Sequence, residues 1–516
     1  MSEHAHTETS RAPASEDEGR RGPAPLAMEP ELFRALGHDL VDRIAAFLES
    51  LPDRPVTPAE SPEVVRSALD AGARLPGHGA DPAELIGTAA ELLLDHSLFN
   101  AHPRFFGYVT SPPAPIGVLG ELLAAAANAN VGAWILSPMA TEIEAQAVRW
   151  IADLIGYPAD GGGLLVSGGN MANTVGLWAA RAAMADWDLR EAGVAGPGAR
   201  TLCVYASAET HTWIHKATDL AGMGTDSIRW IPTDDDLRMD LGALRSALDR
   251  DREAGLRPMM VVGTAGTVST GAVDPLFEIA AICREVGVWF HVDGAYGAFA
   301  AAVPDAPADF GALHLADSLA LDPHKWLYAP LEAGCTLVRD RETLRRAFSY
   351  HPPYYHFGQE LTNYVDFGPQ NSRGFRALKV WLALRQMGRE GYVRSIGDDM
   401  ELSRRLHARV GEHPELQPFT QALSISTFRY VPPDLRPELG SEAAEEYLDE
   451  LNRALLDRIQ ESGEAFVSNA MVDGRYLLRT CIVNFNTTVD DVDALPEIVA
   501  RLGRAVDREL RGDSPA

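Results

Sequence analysis

What most constrains this chain is a rhythm that begins after Gly161. Short apolar runs alternate with amphipathic stretches such as LGALRSALDRDREAG and LFEIAAICREVG. The runs are GLLVS (163–167), TLCVYAS (201–207), MMVVGT (259–264), VWFHVD (288–293), SLALD (318–322) and CTLVRD (335–340). Apolar runs without polar alternation are strands covered on both faces, and helices between them supply the crossovers of a mostly parallel sheet. An α/β architecture follows. Ligands of such sheets gather at the carboxyl ends of the strands, so the chemistry is expected there.

Before this region the apolar spacing predicts helices over 29–51, 81–94 and 116–129, and a further one opening at Thr141 with a capping-box pattern, Thr141–Glu144. A Pro-, Gly- and Tyr-rich stretch (349–373) interrupts the rhythm and reads as a functional loop. A long helix is expected from Arg376 to Met387. Beyond it, helices mix with the strand-like runs SISTFRY and YLLRTCIVNF, which predicts a smaller α+β domain. The expected organisation is a disordered polar tail (1–25), a helical segment (26–110), a large domain (111–387) and a small C-terminal domain (388–516).

With 45 Lys+Arg against 73 Asp+Glu the net charge is 45 − 73 = −28, which disfavours nucleic acid and anionic membrane surfaces as partners. No apolar stretch is long enough to span a bilayer, and residues 1–25 lack the apolar core of a secretory signal. The four cysteines are dispersed, so neither a zinc site nor a disulfide framework is expected, and the reading is a cytoplasmic protein with reduced thiols and no metal.

Four features fall at expected strand ends. Gly161–Asn173 (GGGLLVSGGNMAN) leads from a strand into a helix through small residues, a place where backbone amides can cradle a phosphate, although a plain turn reads the same way. Asp293, in HVDGAYG, ends an apolar run. A buried carboxylate is costly unless a positive partner faces it, and a helix cap or salt bridge is the plainer account. Lys325, in DPHKW, follows SLALD; burial favours a neutral amine, and a neutral amine is what attacks an aldehyde. His211 lies in AETHTW and could stack on a planar ring. In that order the four meet the needs of pyridoxal 5'-phosphate: an amide cup, a ring partner, a carboxylate for the pyridinium nitrogen and a lysine for the aldehyde.

At this point the chain resembles the group II pyridoxal-phosphate-dependent amino-acid decarboxylases, the aromatic-L-amino-acid decarboxylase type. HPRFFGYV, SPMATEIE, GGGLLVSGGNMAN, GTAGTVSTGAVD, HVDGAYG, DPHKW and SRGFRALKVW stand in family order from about His102 to Leu384. The resemblance implies fold type I: a large domain built on a mostly parallel seven-stranded sheet, an N-terminal helical segment packing on a partner subunit, and a small α+β domain. It makes Lys325 the Schiff-base lysine and Asp293 the partner of the ring nitrogen. His211 would stack on one face of the ring, with Ala295 behind the other. Gly168, Gly169, Asn170 and His324 would hold phosphate with Asp322 supporting that end, and Thr267 would flank the cofactor hydroxyl. Arg373 matches a family arginine.

The implied reaction is decarboxylation of an L-amino acid to its amine, with Tyr354 in the loop HPPYYHFG as the acid that protonates the substrate carbon. Relatives with phenylalanine there make aldehydes oxidatively. The family's loop reaches a neighbouring active site, which implies a homodimer. Tyr108, Val109, Thr110, Ser111 and Trp134 would wall the substrate pocket, with Ser372 near the side chain. No lysine or arginine stands among these, so an aromatic or other non-acidic substrate is expected. Ser372 leaves histidine open, and the smaller Val109 leaves branched aliphatic substrates open. Two departures stand out: the cup is Gly-Gly-Asn where many relatives have serines, and Asp322 replaces an asparagine.

Overall fold

A computed structural model describes residues 26–350 and 361–512. The expected disordered tail (1–25) and Tyr354 lie outside the described residues. Contact density divides the chain into two units: residues up to Ser50 with Glu60–Ser97, and Leu51–Ala59 with Leu98 onward. The first unit is helical, with helices Pro30–Ser50, Pro62–Ala68 and Pro82–Asp95. Proline opens each one, and the Ser61 and Asp81 side chains accept from backbone N–H groups of the first turn of the last two. No residue of Pro30–Ser50 is buried, and Phe33 is 62% exposed.

The second unit holds the sheet that the apolar runs predict. Its strands are β1 (Gly162–Val166), β2 (Leu202–Ser207), β3 (Ile228–Ile231), β4 (Arg257–Thr264), β5 (Trp289–Asp293), β6 (Ser318–Leu321) and β7 (Gly334–Val338). They lie in the order β1-β7-β6-β5-β4-β2-β3. Only β7 runs against its neighbours, β1 and β6, so the sheet is mostly parallel. Every residue of β2, β6 and β7 is buried, as strands covered on both faces must be. The strand β3 (IRWI) escapes the sequence reading: it has four residues, and its Trp230 is 43% exposed. A second sheet, antiparallel, comprises β8 (Leu416–Ala422), β9 (Ile425–Tyr430), β10 (Ser468–Val472) and β11 (Arg475–Cys481). The fold is type I, with the large mostly parallel sheet and a small antiparallel one.

One local expectation fails. Thr141 does not cap a helix: the helix runs Pro138–Leu154, and the Thr141 hydroxyl donates to the Ser137 carbonyl from inside it. Glu144 instead turns into the core to meet Arg373. Pro138 can start the helix because its missing N–H is an orphan there anyway. The helix expected at 376–387 continues as Ala377–Glu412 past Gly388, whose φ of +62° breaks the helical geometry. Among the described residues no helix is long and apolar enough to cross a membrane, and no group of acidic, histidine or cysteine side chains could hold a metal. All four cysteines are free and buried.

Candidate active site

Because β1, β2, β4, β5 and β6 share one direction, their carboxyl ends share one edge of the sheet. A cavity of about 420 Å³ opens there. Register brings the strand ends together, with Thr264 opposite Asp293 and Asp293 opposite Ala320.

After β6 the chain turns through Asp322–Lys325. The Lys325 Nζ lies 3.0 Å from Asp322 Oδ2, and the lysine side chain is 19% exposed. It is thus ion-paired rather than isolated in apolar surroundings. His324 Nε2 is 3.7 Å from the same oxygen, and its backbone carbonyl accepts from the Ser111 hydroxyl at 2.9 Å. Burial lowers the pKa of His324, with Asp322 opposing that shift. Asp322 Oδ1 is buried and has no hydrogen-bond partner among the described residues.

Asp293, at the end of β5, is nearly buried. Its Oδ2 accepts from Trp213 Nε1 at 2.8 Å and its Oδ1 from the Ala295 N–H at 3.1 Å. His211 follows β2 on a short loop, and its Nδ1 accepts from the Trp213 N–H at 3.2 Å. Desolvation lowers the pKa of His211, against the pull of Asp293, so the imidazole is neutral at physiological pH.

The helix Gly169–Met184 starts at this edge with no side-chain cap on Gly168. Gly168 has φ +144°, and a Cβ on Gly169 would sit 2.5 Å from Asp322 Oδ2 and 3.0 Å from the Ala295 methyl. Only glycines let this helix end approach so closely, and its uncapped amides face the cavity. A four-membered relay secures the start of the helix. Asn173 Nδ2 donates to the Gly169 carbonyl, which leaves its Oδ1 for His291 Nε2 at 2.7 Å. Burial holds the pKa of His291 down to about 4, so the ring is neutral, Nε2 carries its proton and Nδ1 accepts from the Ser318 hydroxyl. Trp289 Nε1 donates to that same hydroxyl oxygen.

Of the residues expected here, Gly168, Gly169, Asn170, His211, Asp293, Ala295, Asp322, His324 and Lys325 line one cavity, as do Tyr108, Val109 and Thr110. Tyr108 has φ +49° and is 55% exposed. The remaining candidates stand elsewhere. Thr267 is buried within its own loop, bonded to Thr270 and the Ala272 N–H, while Thr264 lines the cavity with a hydroxyl that has no partner among the described residues. Ser111 is turned to the His324 carbonyl. Trp134 donates to Glu142, and Ser372 is exposed outside the cavity wall. Arg373 is committed to Glu144, at 2.5 Å and 3.1 Å.

Sequence reasoning missed Arg479, Thr264 and Tyr296 in the cavity wall. Arg479, on β11, is buried and donates to Ser468 at 2.8 Å, and its Nε has no partner among the described residues. An arginine inside the apolar run YLLRTCIV was the available signal.

A lysine, a carboxylate held by two donors, a neutral imidazole and an uncapped helix start around one cavity are complementary to an aromatic aldehyde that carries a phosphate. The Thr264 hydroxyl, which has no partner among the described residues, and the glycine cradle fit such a group as well. The fold and this site define a fold type I pyridoxal-phosphate enzyme. Residues 65–430 match the family model of the pyridoxal-dependent decarboxylase conserved domain. The chain is 33% identical over 477 residues to an aromatic-L-amino-acid decarboxylase of Bacillus atrophaeus, covering 90% of this chain and 94% of that one. It is 31% identical over 468 residues to a phenylacetaldehyde synthase of Arabidopsis thaliana (88% and 92% covered). The solved structure of Oryza sativa TDC with PLP and tryptamine superposes with a TM-score of 0.85 at 29% identity, covering 94% and 99%. The chain belongs to the pyridoxal-dependent decarboxylase family; it is a carboxy-lyase that uses pyridoxal phosphate to decarboxylate an amino acid.

Proposed function

We propose that the chain removes the α-carboxyl group of an aromatic or other non-acidic L-amino acid, releasing the amine and CO2, at the cavity around Lys325. The observation that carries this reading is the convergence of Lys325, Asp293, His211 and the helix start at Gly168 on that single cavity. When bound, the cofactor supplies a protonated ring that accepts the electron pair freed at the substrate carbon.

The chain's own residues then have distinct tasks. Lys325 would hold the cofactor through its aldehyde. Asp293, fixed by Trp213 and the Ala295 amide, would serve as the partner of the ring nitrogen and hold its proton. Neutral His211 would offer a ring face with no charge to repel a pyridinium, and Ala295 would back the other side. The amides of Gly168, Gly169 and Asn170 would hold the phosphate together with His324, while Asp322 orders the lysine turn. Thr267 buttresses a loop that would flank the cofactor hydroxyl, whereas Thr264 lines the cavity with a hydroxyl unpartnered among the described residues. Tyr354 delivers the final proton to carbon.

Tyr108, Val109 and Thr110 shape the substrate side of the cavity. Arg479 is the one guanidinium among the described residues lining it. One such cation answers one carboxylate, and an acidic amino acid brings two, which supports a non-acidic side chain. The relatedness to a phenylacetaldehyde synthase supports a second reading, oxidative decarboxylation and deamination to an aldehyde with consumption of dioxygen.

The proposal extends to a cytoplasmic homodimer. Leu119, Leu122 and Leu123 on helix Pro115–Ala127, with Ile135, Leu136 and Met139 beyond it, are all more than half exposed. Apolar residues in that number call for a cover, and a second copy supplies one. Trp134 lies within that stretch; Trp134 and Ser372 would then serve the shared substrate sites from the interface, while Ser111 supports the His324 backbone from inside the chain. An amine-release screen over the twenty L-amino acids tests the substrate class; a chain active only on aspartate or glutamate would sink it. Tyr354→Phe is expected to lower amine yield and raise aldehyde and ammonia, and an unchanged product ratio refutes that role.

A further inference from the structure

Helix Ala377–Glu412 holds the segment that follows Lys325. Asp399 on this helix is 2% exposed and stands outside the cavity wall. Its Oδ2 accepts from both Trp326 Nε1 and the Tyr328 hydroxyl, each at 2.8 Å, and its Oδ1 faces the Asn484 N–H at 3.4 Å. Two helical turns earlier, the Tyr392 hydroxyl donates to the Leu327 carbonyl at 3.2 Å. Three consecutive residues after the lysine are therefore gripped by one helix.

The grip reaches the cavity through rigid parts. Tyr328 has φ +54°, a conformation that a residue with a Cβ keeps only when its surroundings impose it. Its N–H donates to the Lys325 carbonyl and its own carbonyl accepts from the Ala114 N–H. Trp326 is fully buried and stacks on Tyr296, a cavity-wall residue, at 5.0 Å between ring centres. An apolar side chain at 399 would fill the space without directing either ring. A carboxylate oxygen with two converging donors fixes both directions. Burial also pushes the Asp399 carboxyl up to about 7, so this group is kept at a cost in stability.

We propose that Asp399 is a positioning residue for Lys325: from outside the cavity it sets, through Trp326 and Tyr328, where the lysine amine is presented. The inference rests on the reading of Lys325 as the residue that bonds the cofactor aldehyde. Hydride trapping of the unaltered holoenzyme, followed by peptide mapping, tests that reading separately; label away from residue 325 overturns the lysine assignment itself.

The test compares Asp399→Ala, Asp399→Asn and Tyr328→Phe by cofactor affinity of the reconstituted apoenzyme, kcat, KM and the thermal midpoint of the apo chain. Asp399→Ala is expected to weaken cofactor affinity about tenfold and lower kcat about tenfold, with KM changed less than about threefold, because a misplaced reacting group costs rate more than binding. Tyr328→Phe should show a smaller loss of the same kind. Asp399→Asn keeps an oxygen for both donors but turns its NH2 toward the Asn484 N–H, so it should rescue the loss only in part. Folded Asp399→Ala with affinity and kcat within about twofold of the unaltered chain, whatever its midpoint, overturns the proposal. If Asp399→Ala does not fold, Tyr328→Phe decides in the same way: unchanged affinity and kcat overturn it, and a joint loss supports it.

Discussion

Arg373 and Glu144 make a sharp test of what holds the cofactor end of the sheet in place. Their side chains are 1% and 0% exposed. The guanidinium donates to both Glu144 oxygens and to the carbonyls of Val131 and Leu165, at 3.0 Å and 2.6 Å, and sits 4.6 Å over the Tyr364 ring. Glu144 also accepts from the Leu165 N–H at 2.9 Å. In Arg373→Met the carboxylate would keep only that amide. In Glu144→Leu the guanidinium would keep two carbonyls. Removing one member of such a buried pair costs about 3–5 kcal/mol, whereas exchanging both for apolar side chains of similar volume is often near neutral. Urea unfolding of the apo chains measures this. Each single variant should lose about 3–5 kcal/mol, and Glu144→Leu with Arg373→Met together should lose less than either alone. Singles within about 1 kcal/mol of the unaltered chain, or strictly additive losses in the double, would refute the argument. Leu165 stands just before Gly168 on β1, so the singles should also bind cofactor more weakly.

Asp293→Asn should abolish most activity without unfolding the chain: both oxygens accept N–H donors, so an amide must turn one NH2 against a donor, at about 1–3 kcal/mol, besides losing its charge. Activity within about threefold of the unaltered enzyme would contradict this. Gly169→Ala would push a methyl into Asp322 and Ala295, and the overpacking cost of about 1–3 kcal/mol should appear as cofactor affinity lowered about tenfold to a hundredfold in a fluorescence titration. For His291 the folded pKa lies below the usual 6.5, at about 4, so its contribution is present above pH 6.5 and fades as pH falls towards 4. That amounts to about 3 kcal/mol. Asp274 and Asp399, raised to about 6 and about 7, act in the opposite direction, losing their contribution as pH rises, so the quantity to measure is the difference from His291→Gln. A variant with the same acid-side slope as the parent would defeat the expectation.

Much of the large sheet was legible because buried parallel strands leave continuous apolar runs, and Lys325, Asp293 and the glycine cup were legible because they directly follow such runs. The strand β3 was not: four residues with Trp230 facing water carry no such run. Thr141 misled because a local cap pattern was outweighed by a tertiary demand on Glu144, which Arg373 answers from far along the chain. Arg479 and Asp399 reach the site or its support from β11 and a distant helix, and no spacing rule connects them to DPHKW. Thr267 was named for its loop, but the side chain that faces the cavity from the preceding strand is Thr264.

The relay from Trp289 through Ser318 and His291 to Asn173 has only one way to order its hydrogens. Reversing any link sets donor against donor or oxygen against oxygen. These four side chains come from β5, β6 and the helix that opens the phosphate cup, so a change in one is tolerable only alongside compensating changes in the others. The quartet should vary across kindred proteins as a unit, and exchanging Trp289 or Ser318 alone should loosen a helix end to which neither side chain is hydrogen-bonded.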